Sequence, residues 1–237
     1  MILAVDCGNT RLKWGLHDGG AWRTTGAASS TEMRSLEERW GKFRALDKVV
    51  VANVAGASAR TKLGKIFSRL RLSTLWVEAR RRGCGVTNGY SRPAQLGADR
   101  WAALIGAWRI VHGPCLVVMA GTATTADILD RSGRFAGGVI LPGLDLMRQT
   151  LSENTAGLPY TRGRFSVRPR RTADAIEAGC LLAQAGAIER TFATLDRGAE
   201  CLLAGGAAAR IAPHLRIHAR RVENLVLEGL VRIAIAE

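Results

Sequence analysis

The sequence predicts an α/β protein built as two tandem lobes, 1–113 and 114–237, each a mixed sheet with helices on its faces. Three observations lead there. The chain opens with three short strands and then alternates helix and strand, the order of a mixed sheet packed by helices. The opening pattern returns after residue 113. No tract rich in Gly, Ser or Pro separates the halves as a linker.

The elements follow in chain order. Residues 2–6 form an apolar strand, and Gly8-Asn9-Thr10 is turn chemistry because Gly and Asn tolerate positive φ. Leu12, Trp14 and Leu16 alternate with Arg11, Lys13 and Gly15, a period of two that marks a strand. Asp18-Gly19-Gly20 is a second turn, and 21–25 a third strand. Met33, Leu36, Trp40 and Phe43 share one face of a helix over 31–46, with Ser30 or Thr31 as its cap. The β-branched run 48–54 is a strand, Leu63, Ile66, Phe67 and Leu70 mark a helix, and 74–77 is a further strand. Residues 80–95 have loop composition. A helix over 94–111 carries Trp101, Leu104, Trp108 and Val111 in register and stops at Gly113-Pro114.

Aligning Gly8 with Gly121 brings Ile2–Val5 onto Cys115–Val118, and Leu16, Gly20 and Trp22 onto Leu129, Gly133 and Phe135. Both segments run strand, Gly turn, strand, Gly turn, strand, so the first turns of the two lobes are expected to face a shared cleft. The second lobe continues with a strand over 135–141, a helix opened by Pro142, and a long helix capped by Thr172. A strand at 200–204 ends in Gly205-Gly206, a short strand lies near 216–219, and a final helix covers 222–236.

Composition narrows the class. A hydrophobic fraction of 47% over 237 residues makes the chain globular. No apolar run spans a bilayer, and the start lacks a basic region with an apolar stretch behind it, so a cytoplasmic protein without a membrane role is expected. Five cysteines without CxxC spacing argue against a disulfide framework or zinc site. The net charge of +14 suits nucleic acid, an anionic membrane or a small anionic ligand. Its clusters, Arg80-Arg81-Arg82, Arg168-Pro169-Arg170-Arg171 and Arg220-Arg221, match no nucleic-acid motif and are expected to be solvated surface.

Four constellations can carry chemistry. In Asp6-Cys7-Gly8-Asn9-Thr10 a carboxylate ends a strand before a glycine turn, whose N–H groups can cradle phosphate beside a hydrated Mg²⁺. Gly121-Thr122-Ala123-Thr124-Thr125, followed by Asp127, is a second small-residue turn of that kind. In Leu96-Gly97-Ala98-Asp99-Arg100-Trp101, Asp99 can serve as general base and Arg100 as anchor, although a close Arg⁺ weakens a carboxylate base. Leu202-Leu203-Ala204-Gly205-Gly206 offers bare backbone to a flat ligand such as adenine. No GxxxxGK[ST], HRD/DFG or HExxH pattern is present, and the four histidines are scattered.

DCGNT, LGADRW after NGYSRP, GTATTAD with GGVILPG, and LAGG occur together and in this order. The chain thereby resembles type III pantothenate kinase, of the acetate- and sugar-kinase, Hsp70 and actin superfamily, from Ile2 to about Leu230. The resemblance implies tandem ribonuclease-H-like (actin-like) lobes and ATP-dependent phosphorylation of pantothenate to 4′-phosphopantothenate in coenzyme A biosynthesis. It implies Asp99 as catalytic base. ATP and its phosphates fall to Asp6, Gly8, Asn9, Thr10, Lys13, Gly121, Thr122, Ala123, Gly205 and Gly206, with Mg²⁺ near Asp6 through water. Substrate contacts fall to Tyr90, Gly97, Asp99, Arg100 and Thr172, the last from the second subunit of a homodimer. One position departs from the family pattern: Met119 stands where a second-loop Asp is usual, which puts a K⁺ or NH₄⁺ site in doubt. Met119 and the charge leave open a regulatory or nucleic-acid-binding relative, and the residues alone leave open a phosphotransferase for another small alcohol.

Overall fold

The computed structural model describes residues 1–237 except Ser30, Thr31, Arg44 and Pro159, and except the side chains of Met33 and Arg34. Its contacts divide into two compact units. The first comprises 1–112, 133–135 and 224–237, and the second 113–132 and 136–223.

The first unit begins with β1 (Ile2–Cys7), β2 (Arg11–His17) and β3 (Trp22–Ser29). There follow α1 (Met33–Trp40), β4 (Lys48–Asn53), α2 (Gly56–Arg69) and β5 (Ser73–Trp76). The strands lie in the order β3-β2-β1-β4-β5, antiparallel through the meander and parallel from β1 outward. Period two sends Leu3, Val5, Cys7, Leu12, Trp14, Val49 and Val51 to one face, where Leu36, Trp40, Leu63, Ile66 and Phe67 of α1 and α2 cover them. The helix expected over 31–46 ends at Trp40, and Gly41 follows. Phe43 still packs on the core from beyond the helix, its ring 5.8 Å from that of Trp14, which is why the apolar spacing overran the end. The proposed caps Ser30 and Thr31 lie outside the described residues.

The segment of loop composition holds β6 (Arg82–Gly83) and β7 (Val86–Asn88), a two-residue hairpin, and then a 3-10 turn over Pro93–Gln95. Cys84 and Gly85 both take positive φ, 49° and 83°, the requirement of a type I′ turn. Cysteine is a rare signal for that turn. α3 (Ala98–Val111) follows and ends at His112, itself left-handed with φ 50°.

The second unit contains β8 (Cys115–Ala120), β9 (Ala123–Leu129), β10 (Arg134–Pro142, whose first two residues belong to the first unit), α4 (Leu144–Asn154) and α5 (Thr172–Phe192). β11 (Glu200–Ala204), α6 (Ala208–Ile211) and β12 (Ala219–Arg221) complete it. Its strand order, β10-β9-β8-β11-β12, repeats that of the first unit, with β8 and β9 antiparallel and β8, β11 and β12 parallel. Leu116, Val118, Ala120, Ala126, Cys201 and Leu203 pack under Leu144, Ile176, Cys180, Leu181 and Ile211 of α4, α5 and α6. Pro142 ends β10 rather than opening α4, which begins after Gly143. Thr172 is the first helical residue of α5 rather than its cap, because Arg171 in extended conformation occupies the cap position. The strand expected near 216–219 forms three residues later, where Ala219–Arg221 find Cys201–Leu203 as partners.

α7 (Leu225–Ala236) returns to the first unit. Asn224, left-handed at φ 56°, starts it three residues after the expected position. α7 and α3 pack on β1 and β4, on the sheet face opposite α1 and α2. The two helices cross closely: a Cβ on Gly229 would overlap the Ala102 carbonyl, and one on Gly106 would overlap that of Leu225. In an exposed helix Gly→Ala gains about 1 kcal/mol. Here overpacking should reverse the sign, so Gly229→Ala is expected to lose roughly 1–3 kcal/mol of unfolding free energy in urea titration. A variant as stable as the parent would mean that the crossing has room to spare.

Candidate active site

In the first unit, half-buried Asp6 follows the buried run 3–5 of β1 and pairs in register with Lys13 of β2, while the turn between the strands is closed by Gly8 N–H donating to Arg11 O at 3.2 Å. Asn9 and Thr10 are exposed on the turn. Asp6 lies on the sheet face that carries α3, and the Asp99 carboxylate of that helix is close enough to oppose its ionisation. Burial, and then this neighbouring charge, raise the Asp6 carboxyl to about 7, against a smaller lowering by Lys13.

α3 opens at Gly97, and Asp99 sits half-buried in its first turn, where the helix dipole favours a carboxylate. Asp99 Oδ1 accepts the Arg100 backbone N–H at 2.8 Å. A Cβ on Gly97 would stand 2.6 Å from that oxygen, so glycine there makes room for the carboxylate.

Arg100 is buried. Its Nη1 donates to Tyr90 Oη at 3.2 Å, and the guanidinium lies 5.8 Å from the Tyr90 ring centre and 5.7 Å from that of Phe135. The two rings are themselves in contact, centroids 5.1 Å apart, and the guanidinium stands against the pair, where the ring quadrupoles stabilise a cation. The Tyr90 segment is itself clamped. Arg81 Nη1 donates to the carbonyls of Asn88 and Tyr90 at 3.1 and 2.9 Å, and its Nη2 to Ser91 O at 3.2 Å. Fully buried Asn88 accepts from Tyr90 N–H and donates to Pro93 O. Arg81 and Asn88 were not singled out in the sequence, where Arg81 stands in a run expected to be solvated. The only hint was a basic run beside NGYSRP.

The second unit gathers its glycines at the carboxyl ends of β8 and β11, where parallel strands commonly present ligand sites. Gly121 N–H donates to Ala123 O at 3.0 Å, and Gly143 N–H to Thr122 O at 2.9 Å. A Cβ on Gly143 would overlap the Gly121 and Thr122 carbonyls. Gly205, at φ 102°, packs on Ala120, whose carbonyl accepts Ala207 N–H at 3.1 Å. The exposed loop Gly121-Thr122-Ala123 and the Gly205-Gly206 turn therefore adjoin within this unit. Fully buried Asp127 sits against Gly138, where a side chain would not fit. Met119 pairs with Thr125 in register, the counterpart of Asp6 with Lys13. Thr172 is exposed and opens on an apolar groove of about 570 Å³ between α4 and α5, lined by Met147, Leu151, Ile176 and Ala183.

The sequence signature described as type III pantothenate kinase matches residues 2–194. The chain belongs to this family. A type III pantothenate kinase from Azoarcus sp. (strain BH72) is 52% identical, the alignment covering 100% of this chain and 92% of that one. One from Aromatoleum aromaticum is 50% identical over 99% of this chain and 98% of its own. Among solved structures, a conserved Baf family transcriptional activator from Campylobacter jejuni aligns over 98% of this chain and 97% of its own, with TM-score 0.67 and 21% identity. A 2-dehydro-3-deoxygalactonokinase protein from Sinorhizobium meliloti aligns over 100% and 99%, with TM-score 0.64 and 16% identity. These two share the fold: tandem ribonuclease-H-like, actin-like lobes, the repeated strand order seen here. Among the described residues no helix is long and apolar enough to cross a membrane.

A carboxyl whose folded value is raised favours the folded state when protonated, so its stabilising effect is full below the unfolded value of about 4 and fades as pH rises to about 7. The ligand-free protein is therefore expected to lose thermal stability across that window, and Asp6→Asn to flatten the loss. An unchanged profile in Asp6→Asn would show that another group sets it.

Proposed function

We propose that this chain transfers the γ-phosphoryl group of ATP to the primary hydroxyl of pantothenate, giving 4′-phosphopantothenate and ADP, the first step of coenzyme A biosynthesis. The observation that carries the reading is the approach of Asp99 to Asp6 beside the Arg100–Tyr90 hydrogen bond, in a chain of this family. Asp99 is the general base: Oδ1 is engaged by the helix N–H, and the other oxygen takes the hydroxyl proton as the alcohol oxygen attacks phosphorus. Arg100 and Tyr90 anchor the acceptor, and Gly97 keeps the space that Asp99 needs. Gly8, Asn9, Thr10, Lys13, Gly121, Thr122 and Ala123 hold the polyphosphate, and Gly205 and Gly206 the adenosine.

Asp6 fits a hydrated Mg²⁺. Among the described residues there is no cluster of three acidic, His or Cys side chains that could cage a metal, whereas Mg²⁺ with nucleotide commonly uses one or two carboxylates and retained waters. Bound there, it would neutralise phosphate charge as the γ-phosphoryl moves. The lobes expected over 1–113 and 114–237 correspond to the two units, except that 113 goes with the second and 133–135 and 224–237 with the first, and the enzyme works in the cytoplasm as a homodimer. In that dimer Thr172 serves the other copy's site, and the apolar groove beside Thr172 supports an assembly through this face.

Two outcomes test the reading. Asp99→Asn is expected to lower kcat by about 10²–10⁴-fold while ATP still binds, read by pantothenate-dependent ADP release and calorimetry. Near-normal turnover would remove Asp99 from the role. Met119 offers a thioether where a hard cation needs oxygen. Exchange of K⁺ for Na⁺ should therefore change the rate by less than about threefold, and Asp6→Ala should cost far more activity than Met119→Ala. Strict K⁺ dependence, or equal losses in the two variants, would overturn the assignment of the two turns.

A further inference from the structure

The second unit carries a closed ring of four charged side chains from three helices. Glu177 of α5, almost fully buried, accepts Arg148 Nη1 at 2.7 Å through Oε2 and Arg210 Nη2 at 3.1 Å through Oε1. Asp145 Oδ1 accepts Arg210 Nη1 at 2.9 Å and also pairs with Arg148 Nη2. Two cations and two carboxylates thus alternate, with Arg148 and Glu177 inside and Asp145 and Arg210 toward solvent.

Burying such a ring is a poor way to gain stability, because desolvation offsets much of the attraction. Arg148 Nε is buried without an acceptor among the described residues, a further cost that apolar packing would avoid. What the ring does is fix three helices relative to one another, and two of them stand directly behind the glycine loops. α4 starts after Gly143, which rests on the Gly121-Thr122 carbonyls. Arg210 lies on the turn that follows Gly205-Gly206, its N–H bonded to Ala207 O at 3.0 Å. α5 adds a second tie, since Gln184 Nε2 donates to Pro142 O at 2.7 Å.

We infer that the Asp145–Arg148–Glu177–Arg210 ring is a positioning device that sets the distance between the phosphate loop at Gly121 and the adenosine loop at Gly205-Gly206. This rests on the reading of those loops given above. The two ends of one ATP are covalently joined, so loops that drift apart lose affinity for the whole nucleotide even when each loop is intact. None of the four residues needs to touch ATP.

The test uses Arg210→Met and Asp145→Asn, both at the outer side of the ring, in the full chain. Each is expected to raise KM for ATP about tenfold with kcat within about threefold and KM for pantothenate unchanged. The double variant should lose less than the sum of the two single losses, because the Asp145–Arg210 pair is common to both. Arg210→Lys should recover part of the affinity, since an ammonium can pair with one carboxylate but cannot span both. A purely structural role would lower the fraction of active enzyme, and hence the rate, without moving KM. Arg197→Met, on an exposed turn, should change nothing. ATP affinity by calorimetry without pantothenate reads the ring independently of turnover. Wild-type ATP affinity in folded Arg210→Met and Asp145→Asn would overturn the inference. Failure of the parent protein to release ADP with pantothenate would overturn the reaction instead, and the calorimetric comparison would still decide the ring.

Discussion

The first unit depends on the close crossing of α3 and α7. Gly106 and Gly229 let each helix meet the other's backbone, and the pair packs as one layer on the β1–β4 face. Because α3 is fixed from behind in this way, its first turn meets the end of β1, and Asp99 comes to bear on Asp6. A bulkier crossing would lift α3 from the sheet and separate the carboxylates. α7, more than two hundred residues from β1, therefore helps to set which carboxylates meet at the end of β1.

The repeated strand order gives both units a hairpin with a glycine turn, and the two hairpins have diverged in chemistry. One pairs Asp6 with Lys13, charge against charge. The other pairs Met119 with Thr125, and the Thr125 hydroxyl is buried without a hydrogen-bond partner among the described residues. Equal backbones thus support unequal electrostatics, and the acidic member, Asp6, is one whose ionisation burial and the nearby Asp99 oppose.

Arginine explains much of what composition left open. The charge of +14 suggests a solvated basic coat. Yet Arg81 ties three carbonyls of the Tyr90 segment, Arg100 stands against the paired rings of Tyr90 and Phe135, Arg148 is buried against Glu177, and Arg210 bridges two carboxylates. In each case the planar fork satisfies several acceptors or faces at once, which an ammonium cannot do.

By itself the sequence determined the elements whose signal is local: the meander, the long helices, the glycine turns, and the recurrence that announces a second unit. It also placed Asp6, Asp99 and the glycine loops as candidates, because strand ends and helix starts are written in short patterns. Tertiary structure alone decided the rest. The ends of α1 and α7, the Cys84-Gly85 hairpin and the start of α5 are set by what neighbouring chain covers. The duties of Glu177 and Arg210 arise only when residues tens of positions apart converge on one carboxylate, and those of Arg81 and Asn88 only when the Tyr90 segment folds back on the β6–β7 hairpin. Periodicity records which face of an element is apolar; it carries no record of which distant group will come to stand opposite.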